Sequence, residues 1–286
     1  MDLLNIDEKN EGRYHFKVNT NRFQIHYRIT NIPEGYYPHL GVTAREGIIL
    51  LYKHPEKKLW TSIDAYHNGN IANVNMSHML NNNIYYEVLL YAPLLSDVEE
   101  LTVELNDDAS LEIIKESNDR SILLCGGPSS FGIGCTAVSL MFSNILSRKL
   151  DVPITNVTYN QEDYMKKLQE HFSNNEDRYD IGIIELNAKE NDCLEYDLKE
   201  IISQMNSCCN VVIGWYYFKE LEPVFKKLLK DEIDNDKIIL KDISCIFDEN
   251  NRDICTYGNN IINDTGNIHI FKILFSTICE VSKWNI

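Results

Sequence analysis

The sequence has 286 residues, with 27 lysine and arginine side chains against 43 aspartate and glutamate side chains, giving a formal net charge of −16. A hydrophobic share of 44% and a charged share of 24% exclude a disordered or fibrous chain. Acidic side chains outnumber basic ones in both halves and leave no basic stripe, so we expect neither nucleic acid nor a membrane as partner.

The first 117 residues predict β-structure. Short runs rich in Ile, Val, Leu, Tyr and Thr alternate with turn-forming segments such as NIPEGYYPHLG and HNGN. Such runs, without long helical patterns between them, predict a small, jelly-roll-like antiparallel β-sandwich over residues 1–117. The segment SHMLNNN predicts one helical turn. The acidic stretch DDASLEIIKESNDR predicts the seam between two domains and has room for a last strand.

From residue 121 the pattern changes to strands that alternate with helices. The predicted strands are SILLCGG, ITNVTYN, YDIGIIEL, CNVVIGWYYF and KIILKDISCIF. The predicted helices are TAVSLMFSNILSRKL, EDYMKKLQEHF, CLEYDLKEIISQM, ELEPVFKKLLKDE and IHIFKILFSTICEVSK. Five strands alternating with five helices predict an α/β domain over residues 118–286, with a parallel sheet covered by helices on both faces.

Eight cysteines lie in this second part, and they form neither a C-x-x-C pair nor a Cys/His cluster with zinc spacing. Most stand in apolar runs, where a free thiol behaves as a small hydrophobic side chain. We therefore expect reduced, buried thiols, no metal site and no cofactor. The N-terminal stretch MDLLNIDEKNEGR has no signal-peptide pattern, so the expected location is the cytoplasm.

Three loops are the expected site, because ligands of such sheets bind at the carboxyl ends of the strands. They are residues 126–132 after the first strand, residues 187–192 after the third, and residues 263–269 before the last helix. A hydroxyl in the first loop and a histidine in the last predict a nucleophile–base pair. Residues 215–218, Trp-Tyr-Tyr-Phe, lie at the end of the fourth strand nearest these loops. They are expected either to line the pocket or to pack in the core.

The segment LLCGGPSSFGIGCTAVSLMFSNILSRKL resembles the first strand, nucleophile turn and first helix of the SGNH (GDSL-type) hydrolase family, and the likeness extends over residues 121–281. The resemblance implies a flavodoxin-like sheet. It implies Ser129 as nucleophile, His269 as base and Asp264 as the carboxylate that orients it, with Ser130 as an alternative nucleophile. It also implies a set of oxyanion and substrate-binding residues, namely Gly127, Ser130, Asn160 and Asn187.

The sequence departs from the family pattern in each of these loops. Alignment without a gap puts Pro128 at the nucleophile's position, and a shift of one residue is needed to place Ser129 there. Gly266 stands three residues before His269, where the family has an aspartate. The simpler alternatives are that Ser129 or Ser130 caps a helix and that His269 lies on the surface in the first turn of the last helix.

The resemblance therefore implies a serine acyl hydrolase (esterase or deacetylase) or an acyltransferase, acting on a small acylated substrate such as a sugar or a biosynthetic intermediate. The alternative is a catalytically inactive or repurposed SGNH-like protein that serves as a binding or assembly module. Branches of the family that carry an added N-terminal β-sandwich are mostly esterases of carbohydrates or other acylated small molecules. A homo-oligomer or a protein partner is left open.

Overall fold

The computed structural model describes residues 3–5, 12–34, 39–63, 65–68, 70–77, 84–106, 108–115, 119–159, 164–173, 177–186, 194–258, 261–282 and 284. The chain divides into two compact units. The first comprises Met1–Glu116 with Thr136–Ser139, and the second comprises Ser117–Cys135 with Leu140–Ile286. The sequence-based boundary lies between residues 117 and 118. No described helix is both long and apolar enough to cross a membrane.

The first unit contains ten β-strands and one short helix among its described residues. They are β1 (Leu3–Asn5), β2 (Arg13–Val18), β3 (Arg22–Thr30), α1 (Val42–Glu46), β4 (Ile49–Lys53), β5 (Trp60–Ser62), β6 (Ala65–Asn68), β7 (Ile71–Asn75), β8 (Tyr86–Tyr91), β9 (Asp97–Leu105) and β10 (Leu111–Ile113). The last of them, β10, lies in the acidic stretch DDASLEIIKESNDR, where the sequence allows one more strand. Most of the predicted SHMLNNN turn lies outside the described residues.

These strands form two antiparallel five-stranded sheets, in the orders β1-β9-β3-β7-β6 and β10-β2-β8-β4-β5. Alternate residues point inwards: Tyr14, Phe16 and Val18 of β2 are buried, whereas the residues between them are half-exposed. Side chains from both sheets, including Phe16 and Phe23, whose rings meet edge to face, share one core. This arrangement is the predicted sandwich of antiparallel sheets.

The second unit alternates strands and helices. Its elements are β11 (Ile122–Gly126), α2 (Pro128–Phe131), α3 (Phe142–Leu150), β12 (Ile154–Thr158), α4 (Tyr164–Phe172), β13 (Tyr179–Glu185), α5 (Leu194–Cys208), β14 (Cys209–Tyr216), α6 (Glu222–Leu228), α7 (Lys230–Asp234), β15 (Ile238–Asp242), α8 (Arg252–Cys255), β16 (Thr256–Tyr257), β17 (Ile261–Ile262) and α9 (Asp264–Val281). Single 3₁₀ turns occupy Lys219–Leu221 and Ser244–Phe247, and a further one, Val138–Leu140, begins within the stretch Thr136–Ser139 of the first unit.

A five-stranded parallel sheet in the order β12-β11-β13-β14-β15 is the centre of this unit. One apolar core packs α4, α5 and α6 against one face, and a second core packs α3 and α9 against the other. The interior strand β11 is buried along its whole length, as expected for a strand covered on both sides. The predicted parallel sheet with helices on both faces is confirmed.

Two helices begin at residues other than those predicted. Helix α3 starts at Phe142, several residues later than the pattern predicts, because a 3₁₀ turn precedes it. Helix α9 starts at Asp264, four residues before the predicted Ile268, because the Asn263 side chain accepts a hydrogen bond from the Gly266 N–H at 3.1 Å and caps the helix. His269 is therefore the sixth residue of α9, in its second turn, and the prediction that it lies in the first turn is wrong.

Candidate functional site

The first predicted loop is a tight strand-to-helix turn. Gly127 is the N-cap of α2 and Pro128 is its first helical residue, so the predictions that Ser129 or Ser130 caps this helix are wrong. Proline suits this position because its fixed φ matches the helix, but it supplies no N–H group. A side chain at Gly126 would collide with Ser130 Oγ and would lie 2.9 Å from Glu185 Cβ, which explains the glycine at the end of β11.

A buried carboxylate closes this turn. Glu185 is the last residue of β13 and is 2% exposed. Its Oε2 atom accepts hydrogen bonds from the Gly127 N–H at 3.1 Å and from the Ser130 N–H at 2.8 Å. Burial raises the pKa of Glu185, although the backbone N–H and hydroxyl of Ser130, the hydroxyl of Ser129 and the N–H of Gly127 act to lower it. The N–H groups of Gly127 and Ser130, at the entrance of α2, thus already have an acceptor within the protein.

Two tyrosines flank this carboxylate. Tyr164 is buried, its ring lies 2.9 Å from where a Gly127 Cβ would be, and its hydroxyl donates to the main-chain oxygen of Glu185 at 3.2 Å. The Tyr217 hydroxyl lies 3.4 Å from Ser129 Oγ. Burial and the nearby Glu185 charge raise the pKa of Tyr217 to about 12, so its hydroxyl is protonated at neutral pH.

The aromatic run after β14 supplies both core and site wall. Trp215 and Tyr216 are buried in opposite cores of the sheet. The Tyr217 ring packs between the tilted rings of Phe218 and Phe247, with ring centroids 4.6 Å away in each case, and these contacts hold its hydroxyl beside Ser129. Of the two alternatives for this run, Trp215 and Tyr216 take the core role and Tyr217 lines the site.

The two serines have different surroundings. Ser129 is half-buried and its hydroxyl faces Tyr217, whereas Ser130 is only 1% exposed. The hydrogen bonds of the described residues include none between Ser129 and His269. The nucleophile–base pair implied by the resemblance therefore stays a prediction.

His269 and Asp264 share helix α9 rather than meeting across a folded loop. They are five residues apart, which places them about 140° apart around the helix axis, on different faces. His269 is half-buried. Asp264 lies near Cys135, whose pKa is raised by burial and by the Asp264 charge. The orientation of His269 by Asp264 stays a prediction that this spacing does not favour.

The structure describes only some of the residues predicted to bind the oxyanion or the substrate. Asn160 and Asn187 lie outside the described residues, as does the rest of the 187–192 loop. Gly127 is described, and its N–H group donates to Glu185. Among the described residues, no group of three or more His, Cys, Asp or Glu side chains could hold a metal ion.

Two important residues were absent from the sequence-based set. Glu185 stands at the end of the apolar run YDIGIIEL, and a charged residue in a central strand was the available signal for it. Asn267 is 1% exposed, accepts the Phe142 N–H at 3.0 Å and donates to the Asn263 main-chain oxygen at 3.0 Å. It therefore joins the start of α9 to the start of α3, a role for which the sequence offers no signal.

Comparison with known proteins identifies the fold. No family model and no curated protein matches the sequence. A solved GDSL-like lipase from Bacteroides ovatus is similar at 13% identity, over 95% of this chain and 84% of that chain, with a TM-score of 0.73. The salicylyl-acyltransferase SsfX3 from a tetracycline biosynthetic pathway is similar at 10% identity, over 96% and 83%, with a TM-score of 0.67.

A family two carbohydrate esterase from Cellvibrio japonicus is also similar, at 10% identity over 95% of this chain and 89% of that chain, with a TM-score of 0.54. At these identities the likeness is one of fold. The chain has the fold of the SGNH (GDSL-type) hydrolases, as the resemblance implies. A fold does not determine an activity, which depends on the residues of the site, here the turn at residues 126–132.

Proposed function

We propose that this SGNH-fold protein is a repurposed member of its fold class, a binding or assembly module that does not hydrolyse acyl groups through a serine. The observation that carries the proposal is the carboxylate of Glu185 on the N–H groups of Gly127 and Ser130. These groups belong to the turn where the resemblance places the nucleophile and the oxyanion donors.

The hydrogen bonds of this turn argue against acyl transfer. A serine hydrolase needs N–H groups that face the oxyanion as it develops. Here Pro128 has no N–H group, and the N–H groups of Gly127 and Ser130 already bond to Glu185. An oxyanion at this position would also lie beside a carboxyl group, and two negative charges at short range repel strongly in a buried site.

The polar groups beside the Ser129 hydroxyl are the Tyr217 hydroxyl and the Glu185 carboxyl, and neither is a histidine. The hydroxyl that lies within hydrogen-bond distance of Ser129 Oγ belongs to Tyr217, at 3.4 Å. A general base works best with a pKa near the operating pH, and the pKa of Tyr217 is raised to about 12. A protonated phenol donates or shares a hydrogen bond, but it does not take the serine proton at neutral pH.

The ligand class in this proposal comes from the structural relatives. One is a salicylyl-acyltransferase and another is a carbohydrate esterase. We therefore propose a small acylated molecule, such as an acylated sugar or a biosynthetic intermediate, as the ligand. The cytoplasm remains the proposed location because free thiols such as that of the exposed Cys245 persist there.

The second candidate is a serine acyl hydrolase or acyltransferase with Ser129 as nucleophile, His269 as base and Asp264 as orienting carboxylate. The observation in its favour is that the Ser129 hydroxyl is only half-buried and stands at the carboxyl ends of the strands. This candidate requires Glu185 to release the N–H groups of Gly127 and Ser130 when substrate binds.

Labelling with a fluorophosphonate probe, combined with turnover of the small substrate p-nitrophenyl acetate, separates the two candidates. We expect neither labelling nor turnover above background in the wild type, in Ser129→Ala or in the control Ser276→Ala, which changes an exposed serine of α9. Labelling or turnover that is lost in Ser129→Ala and retained in Ser276→Ala would overturn the proposal and establish the hydrolase. The small substrate guards against a site too narrow for the probe.

A further inference from the structure

Two adjacent cysteines form a thiol pair at the end of the second unit's sheet remote from the candidate site. Cys208 is the last residue of α5 and Cys209 is the first residue of β14. In the sheet register Cys209 pairs with Tyr179 at the start of β13, whereas Glu185 pairs with Trp215. Six residues of strand, or about 20 Å, separate the two positions.

The two sulfur atoms are close and face each other. The Sγ atoms lie 3.7 Å apart, and the Cys208 thiol lies 3.4 Å from the Met205 main-chain oxygen. Cys208 is half-exposed, whereas Cys209 is 5% exposed and lies beside Gly182 in the same apolar core as Met205. One sulfur of the pair is therefore accessible to solvent, and the other stands directly behind it.

The two thiols differ in their electrostatic surroundings: Cys208 accepts a hydrogen bond that Cys209 donates. The hydrogen bond from Cys209 and the charge of Arg178 lower the pKa of Cys208. The same hydrogen bond, together with burial, raises the pKa of Cys209. Cys208 thus has the more thiolate-like sulfur, which is the form that binds metals and metalloids.

The backbone opposes a disulfide between these residues. Neighbouring Cα atoms are about 3.8 Å apart across a trans peptide bond, whereas disulfides usually span about 4.4–6.8 Å between Cα atoms. The described peptide bonds include no cis bond. A disulfide here would be strained and easily reduced, so the pair is expected to remain a dithiol.

We propose that Cys208 and Cys209 form a two-sulfur binding site for a soft, thiophilic metal or metalloid centre. Thiolates select soft centres over hard ones. The described residues contain no cluster of three or more potential ligands, which argues for a centre held by two protein sulfurs rather than for a tetrahedral zinc site. This site is independent of the proposed function at residues 126–132.

A trivalent organoarsenical, phenylarsine oxide, is the probe for this site. Each sulfur forms one bond to arsenic, the oxide oxygen leaves as water with the two thiol protons, and arsenic stays trivalent. Binding through two sulfurs makes the second bond intramolecular, so losing one sulfur should weaken binding by about a hundredfold or more.

The test uses the reduced, full-length protein, intact-mass spectrometry and the dissociation constant of the adduct. We expect one tight equivalent in the wild type and in the control Cys245→Ser, which removes an exposed thiol. We expect that equivalent to be lost in Cys208→Ser and in Cys209→Ala, each shown to be folded by a cooperative unfolding transition. Alkylation mapping should show protection of Cys208 and Cys209. No tight equivalent in the wild type, or an unchanged one in Cys208→Ser, would overturn the proposal.

Discussion

The buried carboxylate of Glu185 permits a quantitative prediction. Replacing it in Glu185→Ala removes the acceptor of two buried N–H groups, those of Gly127 and Ser130. Each unsatisfied buried donor costs about 1–3 kcal/mol, so we expect the free energy of unfolding to fall by about 2–6 kcal/mol. Because the single atom Oε2 accepts both bonds, the amide oxygen of Glu185→Gln can replace it, and we expect a change within about 1 kcal/mol.

The wild type and Glu185→Gln should also differ in how the free energy of unfolding depends on pH. Burial raises the pKa of Glu185 above the ordinary value of 4.5, so the folded protein keeps this proton to higher pH than the unfolded chain does. Between the two pKa values the folded state binds more protons, and the free energy of unfolding falls as the pH rises through that window. Glu185→Gln lacks this titration, so its stability relative to the wild type should increase as the pH rises from about 4.5.

Urea denaturation followed by circular dichroism, at several values of pH, measures both effects. The matched control is Glu249→Gln, which changes an exposed carboxylate and should stay within about 0.5 kcal/mol of the wild type. If Glu185→Ala is as stable as Glu185→Gln, the carboxylate is not the acceptor that the turn needs. A difference between wild type and Glu185→Gln that is the same at every pH would refute the assigned titration.

Two further substitutions test the supports of this site by the same urea assay. Asn267→Ala leaves the buried Phe142 N–H without an acceptor and should cost about 1–3 kcal/mol, whereas Asn267→Asp keeps an acceptor and should cost less. Gly132→Ala places a Cβ at φ +89° and 2.8 Å from Met141 Cγ, and should cost about 1–3 kcal/mol. The control Gly258→Ala, at φ +56° with no atom within 4 Å, should cost less, and equal losses would contradict the predicted clash.

The parallel sheet could be predicted because its strands are almost uninterrupted apolar runs. A strand such as Ile122–Gly126 is buried on both faces. Its sequence is therefore apolar throughout and lacks the polar alternation of a strand with one exposed face. The helix starts were less predictable, since they depend on local capping. Asn263 resembled part of a polar loop, yet its side chain accepts the Gly266 N–H and begins α9 four residues early.

The site was predictable only in part. Glycine and proline mark the turn at residues 126–132 directly in the sequence. Glu185, however, meets Gly127 across 58 positions of the chain, and local patterns do not indicate such a contact. A glutamate at the end of a strand is ordinarily exposed to solvent. The burial of Glu185 follows only from the pairing of β11 with β13.

Pro128 and Glu185 act together on the same set of hydrogen bonds. A serine hydrolase keeps N–H donors unpaired until the oxyanion forms, and each buried, unpaired donor costs about 1–3 kcal/mol of stability. Here the proline supplies no donor at the first helical position, and the glutamate accepts from the Gly127 N–H before it and from the Ser130 N–H two residues after it. The N–H groups of Gly127 and Ser130 are therefore paired in the folded protein, and this pairing stabilises the turn. Under the proposed function, the hydrogen bonds of this turn stabilise the fold rather than a transition state.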